Sequence, residues 1–106
     1  MTTALTLTAD RRPDGAVILS AVGEVDMTNS ADLAAATDEA LGDVSGRPLI
    51  VDLSRVEYLD SAGLSVLLVR AERIEIVASA LLGPVLTVCG LTELTTVHGL
   101  EPDGGR

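Results

Sequence analysis

Residues Asp52–Leu64 read DLSRVEYLDSAGL. An apolar strand signal, Leu49-Ile50-Val51, runs into this stretch and a helical signal runs out of it. The reading is therefore strand, short loop, helix. The loop closes on Asp60-Ser61-Ala62-Gly63, which puts a hydroxyl at the N-terminus of a helix. Backbone N–H groups there are unpaired and the local field is positive. A phosphate on Ser61 would meet several waiting donors, so the segment has the form of a phosphorylation switch. Ser61 also suits a plain N-cap role, its Oγ accepting a backbone N–H. The two roles are compatible.

Upstream, Leu49–Leu53 is apolar apart from Asp52, the pattern of a strand buried on both faces and usually parallel. Downstream, Leu64, Leu67, Leu68 and Ala71 fall at i, i+3, i+4 and i+7, an inner helical face. Beyond it two registers are open. Ile74–Val77 is the next strand, or the helical period runs on to Leu81, stops at Gly83-Pro84, and Val85–Val88 is the strand. Towards the N-terminus, Leu5–Thr8 alternates as a half-exposed strand does. Arg11–Gly15 is a turn around Pro13-Asp14-Gly15, and Ala16–Val22 pairs back as a hairpin. Gly23–Thr28 is a loop. A first helix starts at Asn29 or Ser30, carries Leu33, Ala36, Thr37, Ala40 and Leu41 on one face, and ends at Gly42. The alternation specifies an α/β domain, a mixed sheet of about five strands with helices packed against it. The domain is expected over 1–100, with 101–106 a flexible polar tail.

Composition narrows the function. The 106 residues suit one domain, and 47% are apolar, enough for a core at this size. Tyr58 is the only aromatic residue, so the core is built from Leu, Val, Ile and Ala. Single-stranded nucleic-acid binding lacks its stacking platforms. A net charge of −9 disfavours nucleic acid and anionic membrane surfaces. It fits a basic or neutral protein partner. The lone Cys89 forms no intrachain disulfide and reads as a packed small residue. The start MTTALTLTADRR lacks the form of a signal peptide, and no stretch reaches a membrane span, so a cytoplasmic location is expected. One Cys and one His make no zinc set, and neither a calcium loop nor a Gly-rich phosphate loop occurs. No cofactor or metal is expected. A hydrolase would need Ser61 served by His98, the only histidine, with Asp60 adjoining. The surroundings of Ser61 are not Gly-x-Ser-x-Gly, so no nucleophile elbow is present.

Three motifs resemble one family. Asp52-Leu53-Ser54 with Asp60-Ser61-Ala62-Gly63-Leu64 resembles the signature of STAS domains, and within them the bacterial anti-sigma factor antagonists. Gly23-Glu24-Val25-Asp26 followed by Asn29–Leu33 is similar to the family's turn into its first helix. Cys89-Gly90-Leu91-Thr92-Glu93-Leu94 is similar to its small-Gly-Leu-x-x-Leu close. Together they span about residues 15–98. The resemblance favours Ile74–Val77 as the strand. Ala80–Leu91 then becomes a third helix with Pro84 in its first turn, and Leu94–His98 the last strand. It implies that Ser61 is phosphorylated by an anti-sigma factor with serine kinase activity. Unphosphorylated protein binds that factor and frees a sigma factor, phosphorylation ends the complex, and a phosphatase restores it. The implied partner surface is Asp26, Thr28, Asn29, Asp60, Ser61, Ala62 and Gly63. Within it Asp60 positions the hydroxyl or serves as a turn acceptor. Gly63 admits a close approach or relieves crowding against the sheet. Ala62 departs from the Ser or Thr common in the family and leaves Ser61 unambiguous. The chain is also several residues shorter than the family between Ser61 and Gly90, which implies a trimmed second helix or a trimmed exit turn. The family implies no catalysis. The alternative within it is an unphosphorylated structural subunit of a larger complex such as a transport system.

Overall fold

The hairpin at Pro13-Asp14-Gly15 sets the first edge of the sheet. The Asp14 carboxylate accepts the Ala16 N–H at 3.0 Å and pairs with Arg12 at 2.6 Å. The computed structural model describes residues 4–100. The turn joins β1 (Leu5–Arg11) to β2 (Val17–Val25) in antiparallel register, Arg11 opposite Val17. From there α1 (Ser30–Leu41), β3 (Leu49–Leu59), α2 (Ser61–Val69) and β4 (Ile74–Val77) alternate. A 3-10 turn, Ala80–Leu82, enters α3 (Gly83–Val88), and α4 (Leu91–Leu94) precedes β5 (Val97–His98). The sheet runs β1-β2-β3-β4-β5, and every pair after the first is parallel. The expected mixed five-stranded α/β sheet and the Ile74–Val77 register both hold. The expected tail, 101–106, lies outside the described residues.

One face of the sheet carries the core. Leu19, Val51 and Ile76 stand side by side across β2, β3 and β4. They are buried in one cluster with Leu33 of α1, Leu67 of α2, Leu86 of α3 and Leu91 of α4. All are aliphatic, as a chain without Phe or Trp requires. On the other face Ile18, Ile50, Asp52, Glu75 and Val77 are only half-buried. β3 was expected to be covered on both faces. Its Leu49–Leu53 segment is instead buried on alternate residues, because the helices contribute to a single cluster on one side. Across the helical layer Arg70, at the end of α2, grips Asp38 of α1 with Nε at 2.8 Å and Nη2 at 2.9 Å. The hydrogen bonds from this guanidinium hold the Asp38 carboxyl below its ordinary range.

Three strands are longer than the sequence pattern indicates, and β1 already runs on past Thr8 to Arg11, a residue expected in the turn. β2 continues through Gly23-Glu24-Val25, expected as loop, and β3 continues through Ser54–Leu59, also expected as loop. The β2–β3 ladder has irregularities between Ser20 and Val22 and between Gly23 and Glu24. Such extra residues break strict alternation. Inward positions on β3 therefore change from every second residue (Leu49, Val51, Leu53) to every third (Leu53, Val56, Leu59). Gly23 sits in the ladder at φ +120°, where a Cβ would strike the carbonyl oxygen of Ala4, so the motif's glycine has a local cause. The C-terminal part is more broken than expected. Gly90, at φ +90°, divides the expected Ala80–Leu91 helix from α4. Leu94 belongs to α4, which shortens the last strand to Val97–His98. Pro84 does lie in the first turn of α3.

Candidate functional site

β2 and β3 are parallel neighbours, so the loops leaving their carboxyl ends lie together, the usual place for sites in open α/β sheets. Val25 pairs with Leu59, and the Asp60 N–H donates to the Val25 carbonyl at 3.1 Å. Asp26–Asn29 and Asp60–Gly63 are thereby brought to one edge, as expected.

The second loop is organised by Asp60. Its Oδ1 accepts the N–H groups of Ala62 at 2.9 Å and Gly63 at 3.1 Å, and its carbonyl accepts that of Leu64 at 2.9 Å. Asp60 is therefore the N-cap of α2, and Ser61 is its first helical residue. This corrects two expectations. Ser61 is not the cap, and the N–H groups of Ala62 and Gly63 are already engaged rather than waiting for a phosphate. The cause is the carboxylate one residue earlier, which satisfies two N–H groups by charge-assisted bonds. Ser61 is exposed, and its hydroxyl makes no hydrogen bond among the described residues. Only its carbonyl is used, accepting Ser65 Oγ at 2.9 Å.

Gly63 is buried, so it offers no surface to a partner. A Cβ there would lie 2.5 Å from Leu59 Cδ1 and 2.7 Å from Val25 Cγ1. Of its two expected roles, relief of crowding against the sheet is the one the packing uses. Gly63→Ala is expected to lower stability by roughly 1–2 kcal/mol. Overpacking costs about 1–3 kcal/mol, and the better helix propensity of Ala returns up to about 1 kcal/mol. Urea unfolding checks this, and an unchanged midpoint would mean that the α2–sheet contact has slack. Ala62 is half-buried beside it.

The first loop is braced from inside. Asn29 is 4% exposed. Its Oδ1 accepts the Asp26 N–H at 3.0 Å, and its Nδ2 donates to the Glu24 carbonyl at 2.9 Å. Asn29 precedes α1 without capping it by its side chain. Its burial makes it a brace for the loop rather than a partner contact. Asp26 Oδ1 accepts both the N–H and the Oγ1 of Thr28, at 2.9 and 2.5 Å. The exposed Thr28 is thus tied to Asp26. Two large side chains on this rim carry no motif and escaped the sequence reading, Met27 between them and Tyr58 two residues before Asp60. Their signal is exposure of an apolar side chain on a fixed backbone, which only the fold reveals.

His98 does not serve Ser61. It faces Glu75 at 3.2 Å and stands level with Val77, hence with Asp52 of β3. Leu59 lies seven residues further along β3 than Asp52, roughly 20 Å at the strand rise. No base approaches the hydroxyl from that side. Cys89 is half-buried, its Sγ donating to the Leu86 carbonyl at 3.4 Å. Among the described residues no group of three or more His, Cys, Asp or Glu side chains gathers as a metal site, and no helix is long and apolar enough to cross a membrane.

A family model described as "Mlab, STAS domain" matches residues 8–96. Anti-sigma-F factor antagonist RsfB of Mycobacterium tuberculosis is 41% identical over 64 residues, covering 58% of this chain and 49% of that protein. The chain thus spans about half the length of this relative. The crystal structure of an anti-sigma factor antagonist from Mycobacterium paratuberculosis superposes with a TM-score of 0.80 at 27% identity. It covers 90% of this chain and 86% of that one. The anti-sigma factor antagonist SpoIIAA in its unphosphorylated form shares the fold, with a TM-score of 0.69 at 17% identity over 95% of each chain.

Proposed function

The chain belongs to the STAS domain family, and from that premise we propose that it is an anti-sigma factor antagonist switched at Ser61. Unphosphorylated, it binds an anti-sigma factor with serine kinase activity in the cytoplasm and so releases a sigma factor. Phosphorylation of Ser61 ends the complex, and a phosphatase restores it. The chain itself catalyses nothing.

The observation that carries this reading is the state of the Ser61 hydroxyl. It is exposed, has no hydrogen bond among the described residues, and stands on a helical turn closed by Asp60. Residues 22–30 and 56–66 contain Glu24, Asp26, Glu57 and Asp60 but no arginine. A phosphate, carrying roughly −1.5 to −2 charges, finds no guanidinium in these segments to draw it inward. It stays in water, leaves the fold intact, and changes only what the surface offers a partner.

Phosphopeptide mapping of the protein from its native cells, in growth and under stress, tests the reading. A phosphate on Ser61 whose occupancy changes with condition is the expected result. A bare Ser61 in every condition would favour the fixed structural subunit. Labelling by a serine-reactive phosphonate probe would instead support a hydrolase; inertness is expected, given the position of His98.

A further inference from the structure

The rim of the Ser61 site carries two side chains that the fold does not use. Met27 is 79% exposed and Tyr58 52% exposed, and neither belongs to the core cluster. The backbone that carries each is nevertheless held in place. Met27 stands between Asp26 and Thr28, which bond to one another, in the loop that Asn29 braces from inside. Tyr58 lies opposite Glu24 and one residue before Leu59, whose pairing with Val25 fixes the edge. The only aromatic residue of the chain is thus placed on the surface, over a wholly aliphatic core. Aromatic residues and Met are enriched where protein partners bury surface. The other exposed large apolar side chains, Val69, Leu81, Val88 and Leu94, lie outside these two segments, in α2, α3, α4 and the turn before α3.

The sign of the charge decides what the two side chains meet. Glu24, Asp26, Glu57 and Asp60 lie in these segments without an arginine. If these carboxylates held the partner by attraction to a basic surface, two more negative charges on Ser61 would tighten the complex. Release by phosphate needs a contact that charge spoils, one that is dry and apolar, because a dianion resists dehydration.

We infer that Met27 and Tyr58 are the apolar anchors by which the unphosphorylated surface holds its anti-sigma partner. They enter apolar pockets of that partner, and phosphate on Ser61 acts by preventing dehydration of the patch they frame. This rests on the proposed switch and names the contacts that the switch breaks.

The test titrates the full chain with the purified anti-sigma factor that phosphorylates Ser61, in calorimetry. Met27→Ser and Tyr58→Ser are each expected to weaken binding about 10–100-fold, and the pair beyond about 100-fold. Met27→Leu and Tyr58→Phe retain binding. All four variants keep the wild-type melting temperature, since the side chains lie outside the core. Wild-type affinity changes less than about threefold between about 50 and 500 mM NaCl, where screening would cut an ionic contact. Serine variants that bind like wild type, while Ser61→Glu fails, overturn the anchors and leave the switch standing. A steep loss of wild-type affinity with salt makes the carboxylates the contact and also overturns the anchors. If Ser61→Glu binds like wild type and the serine variants do not, the switch fails and a constitutive apolar interface remains. If no anti-sigma factor binds the wild-type chain, both fall.

Discussion

Ser61→Glu lowers affinity for the anti-sigma factor at least about 100-fold relative to Ser61→Ala, a difference of about 2.7 kcal/mol, and leaves the fold intact. The two halves of this expectation have separate causes. Within the domain, an acid at the first position of α2 meets the positive end of the helix, a gain of about 0.3–1 kcal/mol. The Asp60 carboxylate next to it already engages two of the turn's N–H groups, so repulsion offsets part of that gain and stability barely moves. Across an interface the balance is different. A carboxylate buried without a partner costs several kcal/mol, and the segments around Ser61 carry no arginine to compensate. Ser61→Ala removes a hydroxyl that bonds to no described residue, so it binds as the unphosphorylated protein does and resists release by the kinase. A single carboxylate carries less charge than a phosphate, so the Glu variant sets a lower limit on the real effect. Calorimetric titration of both variants decides the matter, and equal affinities would end the switch reading.

The parts of this molecule that were legible in sequence are those where one face is buried at a regular period. Leu64 and Leu67 mark α2, Leu33, Thr37, Ala40 and Leu41 mark α1, and all six are buried where the helical spacing puts them. The hairpin turn was legible because Pro13-Asp14-Gly15 has few other uses. The strand ends were not. Once the irregularities in the β2–β3 ladder lengthen the inward spacing to three, Leu53, Val56 and Leu59 no longer alternate, and their segment reads as loop. The cap of α2 was displaced by one residue because Asp60 and Ser61 both suit the position. That single step matters more than its size suggests. It turns Ser61 from a residue that closes the helix into one whose hydroxyl bonds to no described residue, and it engages the Ala62 and Gly63 N–H groups that a phosphate would have used. Burial of Gly63 was offered by sequence as one of two roles. Choosing between them required the positions of Leu59 and Val25.

Asn29 illustrates what no pattern in a single sequence contains, and its substitution carries the largest expected loss of stability. Asn29→Ala strips the Asp26 N–H and the Glu24 carbonyl of this partner at a position that is 4% exposed. A buried group left unsatisfied costs about 1–3 kcal/mol; both bonds are part-buried, which keeps each group near the lower end, so about 2–3 kcal/mol is expected for the two. The same change frees the loop that presents Met27, so partner affinity falls as well. Asn29→Asp separates the two bonds. Its carboxylate would still accept from Asp26, but it would face the Glu24 carbonyl with a negative charge and no donor. At neutral pH it is therefore at least as damaging as alanine. Burial and that carbonyl favour the protonated form, so its pKa in the folded state is raised above the unfolded carboxylate value near 4. The folded state then binds the proton more readily than the unfolded state, and stability rises as pH falls through the folded pKa. Protonation supplies an O–H that donates to Glu24 and rebuilds the brace. Urea midpoints at pH 7 and pH 5, each measured relative to wild type, test this. Partial recovery of Asn29→Asp at the lower pH, with none for Asn29→Ala, is the expected result. Equal behaviour of the two variants at both pH values would mean that the Glu24 carbonyl finds water once Asn29 is gone, and that the loop is held by its own Asp26–Thr28 bonds.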